Sequence, residues 1–194
     1  MSKRTATWLA WSICALSLAL TALSLLLIAL ILSYPNVHIF EYWLETTVAP
    51  AAFPTVGAVI VSRHPNNVIG WLFCALGFSL GLNHFLSEYA IYALLAQPGS
   101  LPGGEVFAWL TYSLYVPTFS PIIFSLLLFP TGRLPSSRWR WFAGFSAIAI
   151  LVGTVTASFS SMHSAIGPVP NPLGIESLGD VSLIAGRSYT LLHF

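Results

Sequence analysis

His84 and Glu88 are the two side chains of this sequence best placed to do chemistry. They stand four residues apart inside an otherwise apolar run, residues 68–95. On a helix they share a face, and the carboxylate would hold an imidazolium one turn away. Such a pair can respond to a proton or a small ligand, because histidine changes charge close to neutral pH. The competing role is mechanical, a polar clamp that ties the outer ends of two helices together. An acid at the bilayer midplane is disfavoured by about 2.5–3.5 kcal/mol on insertion scales. Counting along the run from Gly70 places Glu88 near its outer end, where that penalty is smaller. Asn83 and Ser87 flank the pair and suit hydrogen bonds across helices.

The rest of the chain offers no reaction. It contains no G-x-S-x-G, H-E-x-x-H or C-x-x-C string. Cys14 and Cys74 both lie within apolar runs and read as small buried hydrophobes, not as a disulfide or metal ligands. His38, His84 and His163 all fall on the predicted outer side, as do Glu41 and Glu88, but no double-His helical spacing joins any of them. No metal and no cofactor is expected. The net charge of +1 lacks the clustered basic face that nucleic acid requires.

The elements that must position these residues are membrane helices. Of the 194 residues, 56% are hydrophobic and 7% charged, far from the roughly 25% charge of soluble domains. The charges sort by sign along the chain. Lys3 and Arg4, then Arg63, then Arg133, Arg138 and Arg140 occupy alternate gaps between apolar runs, and Glu41, Glu45, Glu105, Glu176 and Asp180 occupy the others. Basic residues stay on the cytoplasmic side, so these six are topology anchors. The expected fold is an all-α, polytopic membrane helical bundle of about five transmembrane helices, with the amino terminus inside and the carboxyl terminus outside.

The expected spans are residues 8–32, 48–62, 68–95, 106–129 and 141–159. The first is too long for the apolar core of a signal peptide. Between the first two spans, residues 37–47 carry Phe40, Tyr42 and Trp43 around Glu41 and Glu45, a mixture suited to the outer headgroup level. Pro50 and Pro54 would disturb the first turns of the second span. In the third, Gly70, Cys74, Gly77, Gly81, His84, Glu88 and Tyr92 share one face, small below and polar above. Gly77 and Gly81 form a GxxxG motif, so this face is expected to pack on protein rather than lipid. Pro117 and Pro121 predict a break in the fourth span. Residues 129–132 fit a type I turn. Residues 160–194 form a Pro/Gly/Ser-rich outer tail in which Arg187 interrupts the sign pattern, with room for the start of a sixth span.

Several blocks resemble the amino-terminal membrane region of bacterial sensor histidine kinases. They are Val56-Gly57-Ala58-Val59-Ile60, Arg63-His64-Pro65-Asn66-Asn67-Val68-Ile69-Gly70-Trp71-Leu72-Phe73 and Glu88-Tyr89-Ala90-Ile91-Tyr92-Ala93-Leu94. Leu128-Phe129-Pro130-Thr131-Gly132-Arg133-Leu134-Pro135, Arg138-Trp139-Arg140 and Asn171-Pro172-Leu173-Gly174-Ile175 continue the series. The resemblance implies a sensory input region in the cytoplasmic membrane of a bacterium, feeding a kinase. The phosphoacceptor helix and ATP-binding domain of such kinases have no counterpart here, so the chain is expected to be non-catalytic by itself.

A small transporter or channel subunit, with the third and fourth helices lining a path, is the first alternative. A structural membrane partner that forms homo- or hetero-oligomers through Gly77 and Gly81 is the second. The bilayer is the expected partner in every case, and nucleic acid in none. The predicted direction of the chain has a direct check: a reporter fused after Phe194 is expected outside the cell. A cytoplasmic signal would require a further crossing.

Overall fold

The computed structural model describes residues 2–34, 43–160, 171 and 173–175. Its elements are helices: α1 (Lys3–Ile31), α2 (Trp43–Arg63), α3 (Val68–Ile91), α4 (Gly104–Thr118), α5 (Ser120–Leu128) and α6 (Trp139–Phe159). A π-helical turn, Tyr92–Ala96, prolongs α3. Among the described residues, four stretches are long and apolar enough to cross a membrane: Lys3–Ile31, Val68–Ala96, Gly104–Leu128 and Trp139–Phe159. The protein is an all-α membrane protein. Large side chains such as Leu126, Trp141 and Phe145 stand 75%, 85% and 70% exposed on these helices. Soluble monomers rarely leave so much apolar surface uncovered.

α2 differs most from expectation. It begins at Trp43 rather than residue 48, so Pro50 and Pro54 lie inside the helix instead of in its first turns. Glu45, Thr46, Thr47 and Thr55, with these prolines, keep it out of the set of strongly apolar helices. The helix is sheltered instead by α1 and α3, against which it packs most extensively. The part of the expected interfacial segment from Trp43 onward is therefore helical, and residues 37–42 lie outside the described residues.

The carbonyl freed by Pro54 is satisfied by α1. Proline lacks an N–H, so Pro54 cannot donate to the carbonyl of Pro50 one turn earlier. Ser17 of α1 fills that vacancy: its hydroxyl, fully buried, is 2.8 Å from Pro50 O and 2.8 Å from Gly77 O of α3. One hydroxyl hydrogen is thus shared by carbonyls of two other helices. Around it the backbones are close. A Cβ at Gly77 would overlap the Pro54 ring, and one at Gly81 would come within 3.2 Å of Ser17 Oγ. On α2, a Cβ at Gly57 would meet Cys74 N and Gly70 O at 2.7 Å. The GxxxG face of α3 is consumed inside the chain, on α2 and α1, and is not a free surface for another subunit.

α1 answers with small residues of its own. Ala6, Ala10, Cys14, Ser17, Thr21 and Ser24 are buried at intervals of three or four, and Ile31 is buried at its far end. At the basic end Ala6, Ala10 and Cys14 join Ala58, Val61 and Cys74 in the apolar core. Both cysteines are free and buried.

The fourth expected span is broken where predicted. α4 ends at Thr118 and α5 starts at Ser120, with Phe119 between them. Pro121 leaves the carbonyl of Pro117 without its helical donor, and Ser120 Oγ supplies one at 2.7 Å. The turn beyond α5 is wider than the expected type I turn, because Gly132 N–H donates to Leu128 O at 2.7 Å rather than to Phe129 O. Gly132 takes a positive φ of 73°, which its lack of a side chain allows.

α6 buries no residue and packs mainly on α4. Trp109 Nε1 of α4 donates to Ser158 O at 2.8 Å. Asn171 closes the end of α6, its Nδ2 donating to Ser158 O at 2.9 Å and Ser160 O at 2.7 Å. These are orphan carbonyls of the last turn. Most of the predicted outer tail, residues 161–170 and 176–194, lies outside the described residues, Arg187 included.

Two helical glycines test the packing. Gly77→Ala is expected to destabilise the bundle by about 1–3 kcal/mol through overpacking against Pro54. Gly144→Ala, where a Cβ meets nothing within 4 Å, should be neutral or slightly stabilising, since alanine is the better helix former. Unfolding in mixed detergent–SDS micelles would measure both.

Candidate functional site

The polar upper half of α3 is built on the same register as its small lower half. Gly57 lies against Gly70 and Cys74, Pro54 against Gly77, and Pro50 near Gly81. α2 is therefore antiparallel to α3, and one further turn brings Thr46 and Thr47 level with His84, just below Glu88. α1 is antiparallel to α2, with Trp11 Nε1 donating to Ser62 Oγ and Ser17 to Pro50 O. It runs alongside α3 in the same direction, so Thr21 and Ser24 come next above Ser17. Both hydroxyls bond back to their own helix, at Ser17 O and Leu20 O. The result is a layer of small polar residues above the tight three-helix seam.

Glu88 projects into this layer. It stands two turns above Gly81 at nearly the same azimuth, which aims it at the seam between α1 and α2. The side chain is 5% exposed, and its Oε2 is buried with no hydrogen-bond partner. Thr47 Oγ1 on α2 is also buried and unpartnered. A buried oxygen without a donor loses its hydration and gains nothing in return. The site therefore has an open acceptor at its centre.

His84 shares the helix face as expected but is only part-buried. Among the described residues no hydrogen bond or ion pair joins it to Glu88. The two share a face without forming a pair. Of the flanking residues, Asn83 bridges helices, its Nδ2 donating to Thr111 O of α4 at 2.9 Å. Ser87 makes no such bond among the described residues.

The neighbouring face of α3 holds α4 through aromatic rings. Tyr89 stacks on Phe107 with centroids 4.1 Å apart, and Phe85 meets Phe107 edge to face at 6.5 Å. Tyr89 OH donates to Pro102 O at 2.9 Å, and Tyr92 OH to Gln97 Oε1 at 2.8 Å. The Pro/Gly loop is thereby fastened over the outer end of α3. α3 thus carries an open polar face toward α1 and α2 and a locked aromatic face toward α4.

The six predicted anchors, Lys3, Arg4, Arg63, Arg133, Arg138 and Arg140, are all exposed. They share one end of the bundle: α1 starts beside the end of α2, and Gly132, next to Arg133, lies against Val68 at the start of α3. Glu105 is exposed at the opposite end. His38, His163 and Glu41, the outer groups weighed as metal ligands, lie outside the described residues. The Ser and Thr stripe of α1 was not foreseen as part of the site, although its spacing of three and four would have revealed it.

An open buried acceptor weakens a fold, and removing it should strengthen one. Glu88→Met, which keeps the volume without the charge, is expected to stabilise the bundle by about 1–3 kcal/mol in the same SDS unfolding measurement. A loss of stability would mean that the carboxyl is satisfied and acts as a clamp.

Against known proteins, no family model matches the sequence, and neither a curated protein nor a solved structure does.

Proposed function

We propose that the protein is the signal-sensing input module of a bacterial cytoplasmic membrane, non-catalytic by itself, and that Glu88 is where the signal acts. The observation that carries this reading is the Glu88 carboxyl, 5% exposed with Oε2 unpartnered. A group of that kind accepts a donor or a cation. A proton, or a small cation reaching the polar layer from the outer side, has the required chemistry. The order of short sequence blocks resembling sensor kinase membrane regions supports the same role.

The surrounding packing gives the event somewhere to go. Glu88 faces the α1–α2 seam, whereas the opposite commitments of α3, Tyr89 on Phe107 and Asn83 on Thr111, hold α4. A change in the seam would tilt α3 and carry α4 with it. α4 ends at the proline break before α5, which lets the basic end respond as a separate piece.

Spin labels on cysteines introduced at Leu32 and Leu95, both exposed at the outer ends of α1 and α3, would report the movement in liposomes. Changing the external pH, or external sodium at fixed pH, is expected to shift the label distance by about 1–2 Å, the usual scale of helix shifts. Glu88→Gln should abolish the shift. An immobile wild type, or a Gln variant that moves equally, would overturn the reading. Net proton or sodium flux lost in Glu88→Gln would favour transport instead.

A further inference from the structure

The tight crossing of α1, α2 and α3 recurs two helical turns further out with different residues. Ser17 of α1, Pro50 and Pro54 of α2, and Gly77 and Gly81 of α3 meet at the crossing. Seven residues along a helix restore nearly the same azimuth about 10 Å further on. On α1 that step leads from Ser17 to Ser24, and on α3 from Gly77 and Gly81 to His84 and Glu88. α2 runs the other way, so the same level is reached by stepping back from Pro54 to Thr47. Each helix thereby brings one oxygen-bearing side chain: Ser24, Thr47 and Glu88. His84, at the azimuth of Gly77, is the titratable neighbour in this layer and adds no oxygen.

The directions of the side chains make the oxygens converge. On a helix they lean toward its own amino terminus. α3 begins at the basic end, so Glu88 leans back toward the level of Thr47; α2 begins at the outer end, so Thr47 leans toward Glu88. Glu88 Oε2 and Thr47 Oγ1 are both buried and unpartnered, so they do not bond to each other and both stay open to a third group. Ser24 is 1% exposed and gives its hydrogen to Leu20 O, which leaves only lone pairs to present. Just beyond Glu88 the helix relaxes into the π-helical turn Tyr92–Ala96, which packs against α1. Such turns gather at functional sites.

The layer is rich in lone pairs and has one carboxylate at its centre. A hard cation takes oxygen ligands of this kind, and a single positive charge matches a single carboxylate. We propose that Glu88 Oε2, Thr47 Oγ1 and Ser24 Oγ hold one dehydrated sodium ion between α1, α2 and α3; this rests on the sensing role given to Glu88 above and names what arrives there. The ion gives the open carboxyl its missing partner. It also ties the three helices a second time, above the Ser17 hydroxyl.

Binding of radioactive sodium to the purified protein in dodecyl maltoside, measured by scintillation proximity in a choline buffer at fixed alkaline pH, tests the site. The wild type is expected to bind one sodium per chain, displaced by unlabelled sodium and not by choline. Thr47→Val and Ser24→Ala, which remove one oxygen each, should weaken binding by about tenfold, and Glu88→Gln by more. Glu105→Gln, exposed at the outer end, should bind as the wild type does. Circular dichroism checks each fold, and Thr47→Val and Ser24→Ala carry the test if Glu88→Gln does not fold. No sodium bound by the folded wild type, or undiminished binding in any folded variant of the three, would overturn the sodium site; a label shift at Leu32 and Leu95 driven by pH alone would then leave the sensing role to the proton. Sodium bound at Glu88 with the labels immobile would uphold the site and remove the sensing role.

Discussion

The bundle depends on one hydroxyl. Ser17 supplies a hydrogen to the carbonyl that Pro54 cannot satisfy, and it does so within reach of Gly77 O. A backbone carbonyl left open in hydrocarbon costs several kcal/mol, so a helix with two internal prolines is viable there only beside a donor. That requirement fixes α1 against α2 at Ser17 and α3 against both at Gly77 and Gly81. The near absence of side chains at the crossing follows from it. A hydrogen bond of 2.8 Å between three backbones leaves no room for more than glycine and a proline ring.

Two kinds of proline repair appear in the chain. In α2 the donor comes from another helix, and the result is a tertiary contact. At the α4–α5 junction the donor is Ser120, within the break itself, and the result is a local joint. The first kind ties helices together, and the second allows one to end and another to begin. The amino half of the protein is accordingly a tight three-helix unit, whereas α5 and α6 are attached at fewer points.

Much of this was legible in the sequence. The sign alternation of the basic residues, the GxxxG of α3 and the Pro117–Pro121 break are all local features, and each has its counterpart in the structure. The span boundaries were less legible. α2 begins ahead of Pro50, where Thr46 is buried and Thr47 half-buried among neighbouring helices, and no single-segment hydropathy contains that information. The site was half legible. His84 and Glu88 share a face, as spacing requires, but whether they pair depends on where the other helices draw each side chain. Glu88 is taken into the seam; His84 stays part-exposed. Ser17 could not be recognised alone, since its importance comes from a missing N–H on a different helix.

Satisfied and unsatisfied polar groups are unevenly distributed in the bundle. The carbonyls freed by Pro54 and Pro121 each receive a serine hydroxyl, and those at the end of α6 receive Asn171. Among side chains the same care is visible in Asn83, Thr21 and Ser24. Glu88 Oε2, Thr47 Oγ1, Ser113 Oγ and Ser125 Oγ are buried and left open. Thr21 and Ser24 in the same layer give their hydroxyl hydrogens to their own helix, and Glu88 Oε2 receives none. Folding stability would favour an apolar side chain at that position. The polar layer at Glu88 therefore costs the fold stability, whereas the tight crossing beneath it, with the Ser17 hydroxyl shared between two carbonyls, supplies it.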